Sequence, residues 1–396
     1  MNYLHVAKPL TLPCGQQIKN RFFKSAMSET MADNHEPDER FARLYGKWSA
    51  GGSGIIVTGN VMVDRDALAE PGNVVVDDER SLPLLKEWAK VGTANQTQLW
   101  MQLNHPGKQS PKYLSAQPAG PSAIPITGAN RKYFNSPRAL SNEEIYAIIA
   151  KYVRTAEIAQ KAGFTGVQIH GAFGYLVNQF LSRKDNQRHD EFGGSFENRM
   201  RFLVDIYQGI RESCGADFAI SLKVSVLDID VDGFTEHDLI AVIQKMSDLG
   251  IDLIEIAGDD YEDSTVGFSG FAHMIHQLVG TPIALSGGFR SISTMEEALG
   301  RHDADLIGIC TPMVVMPDLP NQVLNGSYQP VRLPLTMGSK RVDKKYAPTY
   351  ITAYCEQQAR RIAAGKRPEL YVSGWRALAA SVKMHGPEGL VPRRAQ

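Results

Sequence analysis

Cysteine is scarce in this sequence, and the few cysteines lie far apart. A C-x-x-C pair, the usual spacing of zinc and iron–sulfur ligands, is absent. This spacing argues against a cysteine-ligated zinc site or iron–sulfur cluster, and we predict no metal ligands. The four cysteines among the 396 residues are Cys14, Cys214, Cys310 and Cys355.

An excess of charge of one sign is also missing. The sequence has 42 Lys and Arg against 43 Asp and Glu, which gives a formal net charge of −1. No apolar stretch approaches the roughly 20 residues of a membrane span, and the first residues lack the basic and apolar regions of a signal peptide. We therefore expect a cytoplasmic protein with no nucleic-acid and no membrane partner.

What the sequence does contain is a regular alternation of strand-like and helical segments. S-N-E-E at residues 141–144 is a capping box that opens a helix, which we expect to end at Gly163. Eight strands alternating with helices favour an α/β fold, a parallel sheet closed into a (β/α)8 TIM barrel. The predicted strands are residues 20–26, 54–59, 99–103, 166–170, 218–224, 253–257, 282–286 and 306–310.

Two segments depart from the plain barrel. Residues 10–12 and 17–19 flank a P-C-G turn, which predicts a short N-terminal β-hairpin that closes the bottom of the barrel. A long loop rich in Pro and Gly, about residues 105–140, follows strand three, and we interpret it as a lid. Since no repeat or low-complexity linker divides the chain, we predict one domain spanning 1–396.

Small and polar residues stand at the carboxyl ends of most of the predicted strands. Barrel enzymes carry their chemistry at that end, so these residues are the candidate site. They are Ser25, Ala26, Met27 and Ser28 where strand one finishes, Gly59 at the end of strand two, Gln102 on strand three, His170 on strand four, Lys223 on strand five, Gly287 and Gly288 after strand seven, and Cys310 and Thr311 where strand eight finishes.

The segment that follows strand four carries the most specific pattern. V-Q-I-H-G-A-F-G-Y at residues 167–175 predicts a buried strand that delivers His170, Phe173 and Tyr175 to one pocket. Together with F-G-G-S-F-E-N-R at residues 192–199, this segment resembles the old yellow enzyme family of FMN-dependent ene reductases. The resemblance covers about residues 9–320, and we expect residues 321–396 to form a C-terminal helical extension.

The resemblance implies FMN as the cofactor and NADH or NADPH as a transient hydride donor. The substrate it implies is an electron-poor alkene, such as an α,β-unsaturated carbonyl compound. His170 would then bind the substrate carbonyl oxygen, and Tyr175 would protonate the α-carbon. The carboxamide of Gln102 suits the pyrimidine edge of the flavin, and the Lys223 cation suits the charge near N1 and O2.

The FMN phosphate is expected beside strands seven and eight, where Gly287 and Gly288 allow close approach of the backbone. Relatives usually have Gly-Arg-Pro where this sequence has C-T-P at residues 310–312. Thr311 keeps a hydroxyl but lacks the charged planar fork of arginine. We therefore expect FMN to bind more weakly than it would to a Thr311→Arg variant.

Phe173 is the main departure from the family pattern. It stands where relatives usually have a second His or Asn for the carbonyl oxygen, and a phenyl ring cannot donate a hydrogen bond. Losing one such donor typically costs about 10²–10³ in rate. Either another side chain, with Asn104 and Asn60 as candidates, supplies the second bond, or the substrate is not a simple enone.

Other functions stay open on the same residues. An apolar Phe173 also suits demethylation, isomerisation or nitro reduction on the same flavin barrel. More distant alternatives are a catalytically degenerate flavin-binding protein and a non-flavin barrel enzyme, in which Lys223 would be a base or Schiff-base former. The sequence specifies neither the substrate nor a preference between NADH and NADPH, and it is compatible with a homo-oligomer without specifying one.

Overall fold

The computed structural model describes residues 4–258, 267–331, 333 and 335–391, so the last five residues of the predicted C-terminal extension lie outside it. In chain order the strands are β1 (Leu10–Thr11), β2 (Gln17–Ile18), β3 (Phe22–Lys24), β4 (Ile55–Met62), β5 (Val74–Val75), β6 (Gln98–Asn104), β7 (Ala119–Gly120), β8 (Arg138–Ala139), β9 (Gly166–His170), β10 (Ala219–Ser225), β11 (Leu253–Ala257), β12 (Ile283–Ser286) and β13 (Leu306–Ile309). The helices are α1 (Glu39–Ala50), α2 (Leu82–Gly92), α3 (Asn142–Ala162), α4 (Leu176–Leu181), α5 (Phe196–Cys214), α6 (Glu236–Asp248), α7 (Gly267–Leu278), α8 (Ile292–Gly300), α9 (Thr311–Val315), α10 (Leu319–Leu324), α11 (Lys340–Ala363) and α12 (Gly374–His385).

Eight of these strands close into a parallel barrel, which confirms the predicted (β/α)8 fold. Their order around the barrel is β3, β13, β12, β11, β10, β9, β6 and β4, and β3 pairs with β4 to complete the ring. Helices cover the outside of the barrel, so the strands are buried on both faces and are apolar at most positions. The register places Lys223 beside His170 and Gln102 beside Gln168.

The lower half of the barrel interior is an apolar layer that the N-terminal hairpin closes. Leu12 and Ile18 of the hairpin pack against this layer, and β1 and β2 pair antiparallel as predicted. The Gln16 amide donates to the carbonyl oxygens of Thr165 (2.6 Å) and Asp217 (3.1 Å), just before β9 and β10 begin. The layer consists of Phe23, Ile55, Val57, Trp100, Ala219, Leu253, Ala284 and Leu306.

The capping box predicted for α3 is present. The Ser141 hydroxyl accepts from the Glu144 amide at 3.3 Å, and the Glu144 carboxylate accepts from the Ser141 amide at 2.8 Å. Gly163 ends the helix with φ +97°, a left-handed conformation that glycine adopts without strain. The capping box therefore sets the start of α3, just after residues 105–140, and Gly163 sets its end, just before β9.

The lid segment, residues 105–140, lies against the loop that follows β9. It contains a small parallel sheet of β7 and β8. The Gln109 amide donates to the Phe173 carbonyl oxygen at 2.6 Å, and the Ser110 hydroxyl donates to the Leu68 carbonyl oxygen at 2.7 Å. The segment is therefore bonded to two loops at the carboxyl end of the barrel.

The helices beyond α10 return to the start of the chain. The Arg43 guanidinium of α1 donates to the Ala363 carbonyl oxygen at 2.7 Å. His385, at the end of α12, lies 3.4 Å from the Thr30 hydroxyl through its Nε2 atom. None of the described helices combines the length and apolarity needed to cross a bilayer.

Candidate active site

His170 is the last residue of β9 and faces the barrel interior. Val167 and Ile169 pack outward under the helices, so the alternation of a strand directs Gln168 and His170 inward. The His170 side chain is buried, and its Nδ1 atom accepts from the Ala172 amide at 3.3 Å. Because Nδ1 is the acceptor, the neutral ring carries its proton on Nε2, which is therefore a hydrogen-bond donor.

Phe173 and Tyr175 lie beside this imidazole, as the sequence predicts. The His170 ring centroid is 4.9 Å from that of Tyr175 and 5.9 Å from that of Phe173, both edge to face. Phe173 has φ +59°, a conformation that costs energy in a bulky residue. Its amide donates to the Asp228 carboxylate at 2.5 Å, which holds the turn in place.

A buried polar network lies in the barrel interior beneath these rings. The Lys223 ammonium is 2.9 Å from one carboxylate oxygen of Glu255. Gln168 donates to the other Glu255 oxygen at 3.0 Å and accepts from the Gln102 amide at 2.8 Å. Ser286 also donates to Glu255, at 2.7 Å. The network thus connects β6, β9, β10, β11 and β12.

The Lys223 ammonium helps to hold the Glu255 carboxylate in its ionised form. Burial opposes ionisation of Glu255, but the Lys223 ammonium and the hydrogen bonds from Ser286 and Gln168 keep the pKa of Glu255 below its usual value. Lys223 also lies 5.7 Å from the centroid of the Phe173 ring. A fixed positive charge therefore stands between the carboxylate below and the aromatic rings above.

Sequence reasoning missed Gln168 and Glu255, although each leaves a signal. Both are polar residues at inward-facing positions of strands that are otherwise apolar, in V-Q-I-H and L-I-E-I-A. A polar group at such a position needs a partner, because an unpaired buried group is costly. Inward-facing polar residues of the predicted strands therefore indicate this network.

The residues after β3 surround one end of the site. The Ser25 hydroxyl is buried and has no hydrogen-bond partner among the described residues. The Ser28 hydroxyl donates to Glu70, and the Ala26 carbonyl oxygen lies 3.9 Å from the Cys310 sulfur. Ser25 therefore has an unused polar atom at the carboxyl end of the barrel, whereas Ser28 is already paired.

Gly59 holds the loop after β3 in position. Its amide donates to the Glu29 carboxylate at 3.0 Å, and the Tyr45 hydroxyl lies at the same distance. A Cβ atom at this position would lie 2.5 Å from the Met27 carbonyl oxygen. The absence of a side chain at Gly59 thus allows the Met27 backbone to approach β4.

Cys310, Thr311, Gly287 and Gly288 line a cavity of about 760 Å³. Gly287 and Gly288 have φ values of +148° and +71°. Burial raises the pKa of the Cys310 thiol, which is therefore protonated at neutral pH. The volume is typical of a cofactor pocket, and the glycines leave backbone atoms accessible to a phosphate.

Arg290 also lines this cavity, a position that sequence reasoning did not single out. Its guanidinium donates to the Gly288 carbonyl oxygen at 3.1 Å, and its own carbonyl oxygen accepts from the Tyr328 hydroxyl at 2.7 Å. The G-G-F-R pattern after β12 indicates this role for Arg290, because a cation two residues beyond a glycine pair remains close to the same loop.

No three His, Cys, Asp or Glu side chains of the described residues are grouped in a way that would hold a metal ion. The polar groups of the site include instead amides, hydroxyls, one imidazole, the Lys223–Glu255 ion pair and the Arg290 guanidinium. Such groups bind an organic ligand by hydrogen bonds and charge.

Comparisons with known proteins show which proteins this chain resembles in sequence and in fold. The model of the NADH:flavin oxidoreductase / NADH oxidase family matches residues 6–329. NADH-dependent flavin oxidoreductase iliE of Neonectria sp. (strain DH2) is 35% identical over 358 residues, which cover 80% of this chain and 46% of the relative. NADH-dependent flavin oxidoreductase iccE of Talaromyces variabilis is 34% identical over 358 residues, which cover 81% of this chain and 86% of the relative.

This chain therefore spans about half the length of the Neonectria protein and most of the Talaromyces protein. Among solved structures, the old yellow enzyme homologue from Zymomonas mobilis superposes with a TM-score of 0.73 at 26% identity. That superposition covers 83% of this chain and 95% of the homologue.

Proposed function

This chain belongs to the NADH:flavin oxidoreductase / NADH oxidase family, and on that premise we propose that it passes hydride from NADH or NADPH to an activated C=C bond. The resemblance to the old yellow enzyme family, which the sequence predicts for residues 9–320, is confirmed by the family match at residues 6–329. The cofactor is FMN, which when bound accepts a hydride from the nicotinamide and delivers it to the substrate.

The residues at the carboxyl end of the barrel fit a flavin mononucleotide. The unpaired Ser25 hydroxyl and the Gln102 carboxamide are polar groups of the kind that the flavin ring requires. Lys223 supplies a positive charge that would stabilise the reduced ring, and Glu255 keeps that cation in place. The glycine-lined cavity after β12 and β13 suits the phosphate.

We assign the missing phosphate cation to Arg290. It lines the same cavity as Thr311, and its side chain is already directed to the Gly288 carbonyl oxygen. An arginine on the strand-seven loop would offset the charge that Thr311 cannot. Position 311, just after β13, still lacks the planar guanidinium that relatives have there. We therefore still expect FMN to bind more weakly than it would to a Thr311→Arg variant.

His170 and Tyr175 act on the substrate. The Nε2–H group of His170 would bind the carbonyl oxygen, where negative charge accumulates as the β-carbon receives hydride. The Tyr175 hydroxyl, on the adjacent ring, would donate a proton to the α-carbon. The observation that carries this proposal is the buried imidazole that a backbone amide holds as an Nε2–H donor beside a tyrosine.

The test uses the purified holoprotein with NADH and 2-cyclohexenone under anaerobic conditions, with the saturated ketone as the measured product. His170→Ala is expected to lower kcat by about 10²–10³. Tyr175→Phe is expected to have a smaller effect, since solvent can replace a proton donor. His237→Ala, an exposed histidine on α6, is the matched control. Equal product formation by His170→Ala and wild type would contradict the proposal.

Nitro reduction is a second candidate function. Phe173 and Tyr175 belong to an apolar cluster with Met62, Leu68 and Val75, which favours a less polar substrate than a pocket with two histidines would. A panel of cyclohexenone, a nitroalkene and an N-methyl compound would separate alkene reduction from nitro reduction and demethylation.

We further propose that residues 1–396 form one domain and that the protein is cytoplasmic. This proposal is compatible with a homo-oligomer.

A further inference from the structure

We propose that Asn104 is the second hydrogen-bond donor to the substrate carbonyl oxygen, in place of the donor that Phe173 lacks. This inference rests on the proposed function. It concerns which side chain completes the binding of the oxygen, and it assigns to the last residue of β6 a role that relatives place in the loop after β9.

The position of Asn104 follows from strand alternation and register. On β6, Leu99, Met101 and Leu103 pack outward, so Trp100, Gln102 and Asn104 face the barrel interior. Register places Asn104 beside Met62 of β4. On the other side Leu103 pairs with Ile169, so the next step of the ladder brings Asn104 alongside His170.

The side chain of Asn104 is fully buried, and its polar atoms are unpaired. Its relative exposure is 0%, and neither Oδ1 nor Nδ2 has a hydrogen-bond partner among the described residues. Leaving one buried polar atom unpaired typically costs about 1–3 kcal/mol. Gln102, two residues earlier on the same face, donates its amide to Gln168. The cost at Asn104 is explained if a ligand supplies the partner.

Phe173 cannot fill this role even through its backbone. Its amide is directed to Asp228, and its carbonyl oxygen accepts from Gln109. Asn60, the other candidate from the sequence, is partly exposed, so water can satisfy its amide. Asn104 is therefore a buried amide with an unpaired Nδ2–H donor, and the register of β6 and β9 places it next to His170.

Two donors on adjacent strands match one acceptor with two lone pairs. A carbonyl oxygen of an enone or enal is such an acceptor. We infer that Asn104 and His170 together bind this oxygen and that they replace the His–His or His–Asn pair of relatives. Substrates without an oxygen at this position would lose both hydrogen bonds.

The experiment compares Asn104→Leu, a near-isosteric change, with Asn60→Leu as the matched control on β4. We expect Asn104→Leu to lower kcat for cyclohexenone by about 10²–10³ and to weaken the binding of p-hydroxybenzaldehyde, measured by the absorbance shift of the bound flavin. Asn60→Leu should change both quantities less. A larger loss in Asn60→Leu, or none in Asn104→Leu, would overturn the assignment.

Thermal stability separates this role from a structural one. Because the Asn104 amide is unpaired, leucine should leave the melting temperature of the holoprotein unchanged or raise it, whereas a structural role predicts a clear fall. Adding Phe173→His to Asn104→Leu should restore much of the lost rate, but it should add less to the wild type. Failure of the wild type to reduce any alkene would refute the proposed function itself, whereas a rate unaffected by Asn104→Leu would refute this inference alone.

Discussion

The two ends of the barrel interior differ in the side chains that they bury. The lower end is an apolar layer that includes Phe23 and Leu253, and the hairpin closes it. The upper end buries the Lys223–Glu255 ion pair together with the unpaired Asn104 side chain. The comparison indicates that the lower end stabilises the fold, while the upper end sacrifices stability to present polar groups to a ligand.

Removing the carboxylate of Glu255 should have the largest effect. Glu255→Ala leaves the Lys223 cation buried without its partner, and breaking such a pair costs about 3–5 kcal/mol. We expect a large fall in the free energy of unfolding, measured by urea denaturation of the holoprotein. Glu255→Gln keeps the shape and should lose less. If the two variants lose equally little, the upper network contributes nothing to stability.

A change in the lower layer should affect stability without affecting the site. Leu12 is 2% exposed and packs beneath the barrel core, and a buried Leu→Ala substitution costs about 2–5 kcal/mol. We expect Leu12→Ala to lower the melting temperature while folded protein keeps its FMN affinity. A change in FMN affinity as large as the change in stability would show that the two ends are coupled.

An arginine at position 311, beside the expected FMN phosphate, should strengthen cofactor binding. A hydrogen bond to a charged group contributes about 1.5–3 kcal/mol, so Thr311→Arg is expected to lower the Kd of FMN by about tenfold or more. Arg290→Ala should raise the Kd. Both values can be measured from the quenching of FMN fluorescence on titration with apoprotein. Equal Kd values for Thr311→Arg and wild type would contradict this account of the cavity.

The smallest effect is expected at His276, which is near the bottom of the barrel. Its hydrogen bond to Asp305 raises the pKa of His276 above 6.5. A raised pKa means that the contribution to stability is present below about pH 6.5 and is lost as the pH rises through the raised value. His276→Gln should therefore lower the melting temperature more at about pH 6 than at about pH 9, by an amount equivalent to about 0.2–1 kcal/mol. An equal loss at both pH values would mean that the pair does not depend on the charge of His276.

The strands and the α3 capping box could be predicted because they depend on local patterns. β9 and β11 match their predicted bounds, but β3 is only Phe22–Lys24 where 20–26 was predicted. The Asn20 side chain accounts for its late start, because it accepts from the Phe22 amide and donates to the Gly52 carbonyl oxygen.

The end of β4 was predicted less well. The sequence places it at Gly59, but the strand continues to Met62 through an irregularity in register between Val57 and Asn60. Glycine often marks the end of a strand, but it also marks bulges. Whether a glycine ends a strand or forms a bulge depends on the pairing with the neighbouring strand, and the local sequence does not contain that information.

Within the site, the sequence located His170, Phe173 and Tyr175 correctly as neighbours. It did not show that Gln168 and Glu255 would meet, because these residues are far apart in the chain and are joined only by the closure of the barrel. The unpaired state of Asn104 was equally invisible. Hydrogen-bond partners are properties of packing, whereas the inward direction of a side chain follows from the period of a strand.

The C-terminal helices α11 and α12 contact a loop near the start of the chain. Thr30 has a left-handed backbone with φ +50°, its carbonyl oxygen accepts from Arg360, and its hydroxyl lies beside His385. The loop that begins with Ser25 is therefore anchored by residues more than 300 positions later. Proteolytic trimming or a bulky fusion at that end of the polypeptide should consequently be detected first as altered flavin retention, before the barrel itself unfolds.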